Sequence, residues 1–162
     1  MHDQKKILTD NELTELVIGL AIKVHKELGH GLLESVYEAC LFYELIKAGL
    51  KAERQKPVPV KYYDVVIDVA YRADLFIEDR LIVELKAVRA FSPIDPAQIL
   101  THMKLIKCNL GLLINFNVTL LKNGLKRFVL WSIQKTGESQ KYKPRRTQST
   151  QRAYLIFKNE RM

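Results

Sequence analysis

The sequence predicts one compact α/β or α+β domain, in which two helices lead into an antiparallel meander, then a crossover helix and further strands. Three observations carry this expectation. Apolar residues recur at threes and fours in the first third, the period drops to two after Lys51, and a helical stretch after Asp95 separates two strand-like runs. At 162 residues and 48% apolar composition, the chain is sized to bury a single core without disulfide or metal staples.

The elements follow in order. Leu13, Leu16, Val17, Leu20, Ala21, Val24 and Leu28 mark one helical face, with Thr9 and Glu12 at capping-box spacing before it and Gly29 to stop it. A second helix carries Leu33, Val36, Tyr37, Cys40, Leu41 and Leu45, and Gly49 suits a left-handed C-terminal cap. Val58, Val60 and Tyr62 then alternate, and Pro57 and Pro59 assign that strand to a sheet edge, because proline cannot donate to a ladder. A turn near Tyr63 and Asp64 leads into a strand over residues 65–71 and then a hairpin. The third helix follows Asp95 with Pro96 at its first position. A buried strand over residues 110–115 and a last one over residues 128–131 complete the domain, residues 1–133. Residues 134–162 read as a basic C-terminal tail, of which 153–157 are apolar enough to dock.

Composition narrows the setting. Cys40 and Cys108 stand alone, with no CxxC or His-rich spacing, and no basic-apolar-small leader precedes them, so a reducing, cytoplasmic location is expected. The longest apolar runs are too short to span a bilayer. The net charge of +8 is uneven: from Lys135 onward eight basic residues face two acidic ones, a net +6, leaving only +2 for the rest. Lys141, Lys143, Arg145 and Arg146 are therefore the expected phosphate contacts of a polyanionic partner, although a basic pI serves solubility as well.

Residues 71–88, YRADLFIEDRLIVELKAV, place three charges inside a hairpin of otherwise apolar strands. If Glu78, Asp79 and Arg80 form a three-residue loop, Ile77 opposes Leu81 and Leu75 opposes Val83. Alternation then puts Leu75, Ile77, Leu81, Val83 and Leu85 on one face and Asp74 opposite Glu84 on the other, beside Lys86. Two carboxylates a strand apart repel, and burial raises the cost, so the pair needs a shared proton or a cation. Magnesium or manganese suits them: both carboxylates, the Leu85 backbone carbonyl and phosphate oxygens supply hard ligands, while the lysine neutralises charge on a phosphate or positions water. The alternative is a salt bridge from Lys86 to Asp74 or Glu84 on a half-solvated face.

A further motif is GLLESVY, residues 31–37. With Gly31, Glu34 and Tyr37 in place it resembles the signature of the GxxExxY protein family, and VHKELGHGLLESVYEACL, YRADLFIEDRLIVELKAV, AQILTHMKLI and LGLLINFNV resemble that family's blocks in the same order. The family is regarded as a branch of the PD-(D/E)XK nuclease superfamily. The resemblance implies a restriction-endonuclease-like core, a mixed sheet with a central antiparallel hairpin flanked by helices. It implies Asp74 and Glu84 as metal ligands and Lys86 as the catalytic lysine, with Glu34 contributing from the preceding helix and Gln98 supporting from the crossover helix. Related nucleases often place a tyrosine four residues after that glutamine, where this chain has His102, which one turn from Gln98 is still a candidate to hold a phosphate or a water; Tyr37 is the other candidate supporting residue. Asp74 also follows Ala73 instead of a proline.

Plainer roles exist for the same side chains. Glu34 in a first helical turn offsets the helix dipole by about 0.3–1 kcal/mol. Gln98 stands at capping-box spacing from Asp95. His25 reads as a core or surface histidine, and Tyr37 as a packing residue whose hydroxyl reaches Glu34 or a neighbour. The function expected is a magnesium- or manganese-dependent nuclease acting on DNA, with RNA also possible as substrate. The alternatives are a catalytically silent nucleic-acid-binding subunit of a repair or defence complex, or a protein-interaction scaffold.

Overall fold

The computed structural model describes residues 7–130, with backbone only at residues 68–70. Helix α1 (Asp10–Leu28) opens on the expected capping box, in which Glu12 N–H donates to Thr9 Oγ1 at 3.2 Å and Thr9 N–H donates to Glu12 Oε2 at 2.8 Å. It ends at Gly29. Helix α2 (Glu34–Lys47) ends just before Gly49, and Leu50 N–H closes the turn on the Leu45 carbonyl at 3.1 Å.

Among the described residues, strands β1 (Ala52–Tyr62), β2 (Val65–Ile77), β3 (Leu81–Lys86), β4 (Leu110–Asn115) and β5 (Leu125–Val129) form one five-stranded sheet in sequence order. β2 runs antiparallel to both β1 and β3, β4 is parallel to β3, and β5 is antiparallel to β4. A parallel pair needs a crossover, and α3 (Ile94–Ile106) supplies it. β1 lies at the sheet edge, where its prolines are tolerated.

Both faces of the sheet are covered. Leu13, Val17, Ala21 and Val24 of α1 and Tyr37, Leu41 and Leu45 of α2 pack on Leu75, Ile77, Leu81, Val83, Leu85, Leu112 and Ile114. On the other face Ile99 and Met103 of α3 pack on Phe76, Ile82, Leu113 and Phe128. β4 is buried at every residue and β3 at all but the last, as a doubly covered sheet requires. The close seat of α3 depends on Gly111: a Cβ there would stand 2.5 Å from Met103 Sδ.

Several expectations need correction. α3 begins at Ile94 and not after Asp95, because Pro93 takes the N-cap position and Pro96 falls in the first turn, where the missing N–H has no intrahelical partner to lose. The Asp95 carboxylate accepts from Ser92 N–H (2.7 Å) and Ser92 Oγ (3.0 Å), so Asp95 and Gln98 form no capping box. Leu33 is the N-cap before α2 and, like Val36, is exposed, while Glu38 is buried at 5% exposure. β5 starts at Leu125. Trp131 and the tail with Lys141, Lys143, Arg145 and Arg146 lie outside the described residues.

Candidate active site

The hairpin has the expected register, with Ile77 opposite Leu81, Phe76 opposite Ile82 and Leu75 opposite Val83. No glycine is needed in its turn, because Glu78 (φ 49°) and Asp79 (φ 55°) themselves adopt the left-handed conformation. Beyond Leu75 and Val83 the two strands part. β2 continues along β1 alone, while Glu84, Leu85 and Lys86 pair with Leu113, Ile114 and Asn115 of β4. At the fork Asp74 forms no rung with Glu84; its Oδ2 accepts the Leu85 N–H at 2.8 Å. The alternation of β2 slips here too, since Ala73 packs with the α3 core and Leu75 with the opposite one.

The second face of the hairpin is thus not half-solvated. Phe76 and Ile82 belong to the α3 core, and Glu84 sits among them at 1% exposure. Its Oε1 shares a 2.7 Å hydrogen bond with Nδ1 of His102, which is equally buried. His102 Nε2 has no partner among the described residues, and the Tyr71 ring packs against the imidazole nearly edge-on at 5.7 Å between centroids. Lys86 makes no salt bridge with a described residue, so the ion pair that would explain the charges without a ligand does not form.

The carboxylates are electrostatically strained. Burial pushes the Glu84 carboxyl above its ordinary range, Asp74 adds to the rise, and the His102 hydrogen bond and the charge of Lys86 oppose it. Asp74 is raised by burial and by Glu38, against the Leu85 N–H, Lys86 and Gln55. Glu34 is raised by burial first, with Lys86 and the Ala87 N–H opposing and Asp74 and Glu38 adding. Burial thus opposes the ionisation of three acids near one ammonium that has no ion-pair partner among the described residues, a cost that a proton or a cation would relieve.

The residues of GLLESVY have separable roles. Gly31 takes φ 99°, which residues with a Cβ avoid, and lets the chain turn from α1 into α2. Tyr37 is fully buried and stacked on Phe116 (4.4 Å, 12°); its hydroxyl donates to the Gly29 carbonyl (2.9 Å) and accepts from Leu32 N–H (3.1 Å). It thereby ties down the loop that sets the start of α2, whose first residue is Glu34. The tyrosine hydroxyl holds backbone, not Glu34.

Four contributors carried no strong sequence signal. Glu38, one turn after Glu34, accepts from Arg54 Nε (2.8 Å) and Gln55 Nε2 (2.7 Å). Gln55 Nε2 also reaches Asp74 Oδ1 at 3.3 Å. Asn115, 2% exposed, binds Val88 N–H (3.1 Å) and the Val88 carbonyl (2.7 Å), fixing the chain just past Lys86. Only the four-residue spacing of Glu34 and Glu38 was visible in advance. Gln98 is half-buried one turn before His102 and makes no hydrogen bond to this cluster among the described residues. His25 is a satisfied core histidine, with Nε2 2.7 Å from the Val118 carbonyl.

A family model described as the PD-(D/E)XK nuclease superfamily matches residues 11–128, most of the chain and all five strands but the last residue of β5. The chain belongs to the PD-(D/E)XK nuclease superfamily. No curated protein and no solved structure matches it. Nuclease activity on nucleic acid, typically with divalent metals, is the general chemistry of PD-(D/E)XK proteins. The donors at the fork fit such an ion: they are hard carboxylate oxygens, with Glu84 Oε2 uncommitted among the described residues. Among those residues no three His, Cys, Asp or Glu side chains converge as a ready-made cage. Magnesium tolerates this, because it keeps several waters and takes substrate oxygens. No helix among the described residues of this PD-(D/E)XK domain is long and apolar enough to cross a membrane.

Proposed function

We propose that this chain is a magnesium- or manganese-dependent nuclease of the GxxExxY branch, hydrolysing phosphodiester bonds in DNA. The observation that carries the reading is the fork itself, where Asp74 leaves the ladder to hold the Leu85 N–H and stands with Glu84 near Lys86, which has no ion-pair partner among the described residues. Asp74, Glu84 and the Leu85 carbonyl are the assigned metal ligands. A bound divalent cation supplies Lewis acidity toward a phosphate oxygen and a more acidic water.

The chain's own residues do the rest. Lys86 donates to phosphate oxygens as negative charge grows toward the transition state, which is where a fixed ammonium lowers the barrier. Glu34, the first residue of α2, is assigned to hold that ammonium or a water, since the charge of Lys86 opposes the rise of its carboxyl. His102 keeps Glu84 in one orientation, and Gln98, which makes no hydrogen bond to this cluster among the described residues, is assigned a supporting role that only bound substrate or water would bring out. Lys141, Lys143, Arg145 and Arg146 are assigned to backbone phosphates, a role insensitive to base sequence.

The test is cleavage of labelled single- and double-stranded DNA and RNA, linear and circular, with magnesium, manganese or chelator. Metal-dependent cleavage of DNA, lowered about 10²–10³-fold in well-folded Lys86→Ala, is the expected result. Binding without turnover in every condition would favour the silent subunit, and cleavage confined to RNA would reassign the substrate.

A further inference from the structure

Five residues other than glycine have positive φ among the described residues: Gln55, Tyr63, Glu78, Asp79 and Lys107. Four have ordinary explanations. Tyr63 turns the chain between β1 and β2, Glu78 and Asp79 form the β2–β3 turn, and Lys107 is the C-cap of α3. Gln55 (φ 49°) alone lies inside a strand. The left-handed conformation is disfavoured for a side chain with a Cβ, and such strain persists where surrounding contacts enforce it, often beside functional groups.

The contacts around Gln55 point one way. Arg54 pairs with Leu75 and Lys56 with Ala73, but the rung between them, Gln55 against Asp74, is missing. Arg72 Nη1 donates to the displaced Gln55 carbonyl at 3.2 Å. The turned backbone delivers the side-chain amide between two acids, 2.7 Å from Glu38 Oε2 and 3.3 Å from Asp74 Oδ1. Glu38 is further neutralised by Arg54. Each Asp74 oxygen therefore has a donor, Leu85 N–H on one and Gln55 on the other.

We infer that Gln55 is a positioning residue for Asp74: its strained backbone places an amide that clamps the carboxylate in a fixed orientation against its acidic neighbours, ready to receive a cation. This rests on the reading of Asp74 as a metal ligand. Gln55 itself need not touch the metal. Partners of this kind commonly change metal affinity about 10–100-fold when removed.

Gln55→Gly relieves the backbone and removes the amide together, and the two readouts, melting and metal affinity, tell these effects apart. Manganese titration calorimetry and thermal melting in chelator are run on wild type, Gln55→Gly, Gln55→Asn and Asp74→Asn. The expected result is a melting temperature for Gln55→Gly no lower than wild type, with manganese bound about tenfold more weakly. Gln55→Asn keeps a residue that tolerates the left-handed backbone but shortens the amide, and it should show the same weakening; it decides the matter should the glycine variant fail to fold. Affinity unchanged in these variants but lost in Asp74→Asn would overturn the role of Gln55 and leave the metal site standing. Affinity unchanged in Asp74→Asn would remove the site and this inference together.

Discussion

His102 Nδ1 and Glu84 Oε1 lie 2.7 Å apart, and both side chains are almost wholly buried. A histidine one turn after Gln98, where the resemblance leads one to expect tyrosine, still reaches across from α3 to the hairpin carboxylate. Its ring, locked between Tyr71 and the core, orients that carboxylate as a tyrosine hydroxyl could.

Truncation of this partner should be costly. His102→Ala leaves a buried carboxylate without its hydrogen bond, and about 3 kcal/mol of stability should be lost, roughly 10 °C in melting temperature for a chain of this size. Glutamine, which keeps a donor, should recover part of it. Thermal melts of the three proteins check this, and identical melting of wild type and His102→Ala would contradict the packing account.

The strained acids make a pH prediction. Asp74 and Glu84 have folded pKa values above their ordinary 3.8 and 4.5, and Glu34 is raised likewise. The native state then holds more protons than the unfolded chain, so these groups lower stability as pH rises from about 4 through the folded values. In chelator, Asp74→Asn and Glu84→Gln should therefore melt higher than wild type at about pH 7.5, with the gain shrinking toward about pH 4. Gains that grow on acidification would mean the carboxylates are stabilised as anions.

Tyr37→Phe should cost about 1–3 kcal/mol, since the Leu32 N–H and Gly29 carbonyl both lose the hydroxyl while the stack on Phe116 survives. Amide exchange should quicken at Leu32 more than in the middle of α2. Uniform protection would show that the hydroxyl is not what holds the loop.

Much of this was legible because local rules and packing agree. The odd hairpin loop was readable from the clean face of Leu75, Ile77, Leu81, Val83 and Leu85, which a one-residue slip would destroy. The capping box and the edge prolines were equally local. What escaped notice depends on tertiary geometry. Glu38 looks like a solvated helical charge until Arg54 and Gln55 are folded against it. Gln55 carries no turn signal, and its left-handed backbone accompanies a missing rung opposite Asp74 that only the paired strands reveal. The early start of α3 escaped because Pro96 marks a first turn without saying which residue of it.

The central claim, that Asp74 and Glu84 together hold a divalent cation, is tested most directly by manganese titration calorimetry on wild type, Asp74→Asn, Glu84→Gln and Lys86→Ala. Wild type and Lys86→Ala should bind one ion with millimolar or tighter affinity, and each carboxylate variant should lose that binding while remaining folded. Equal binding by all four proteins would contradict the account and remove the metal from the forked hairpin.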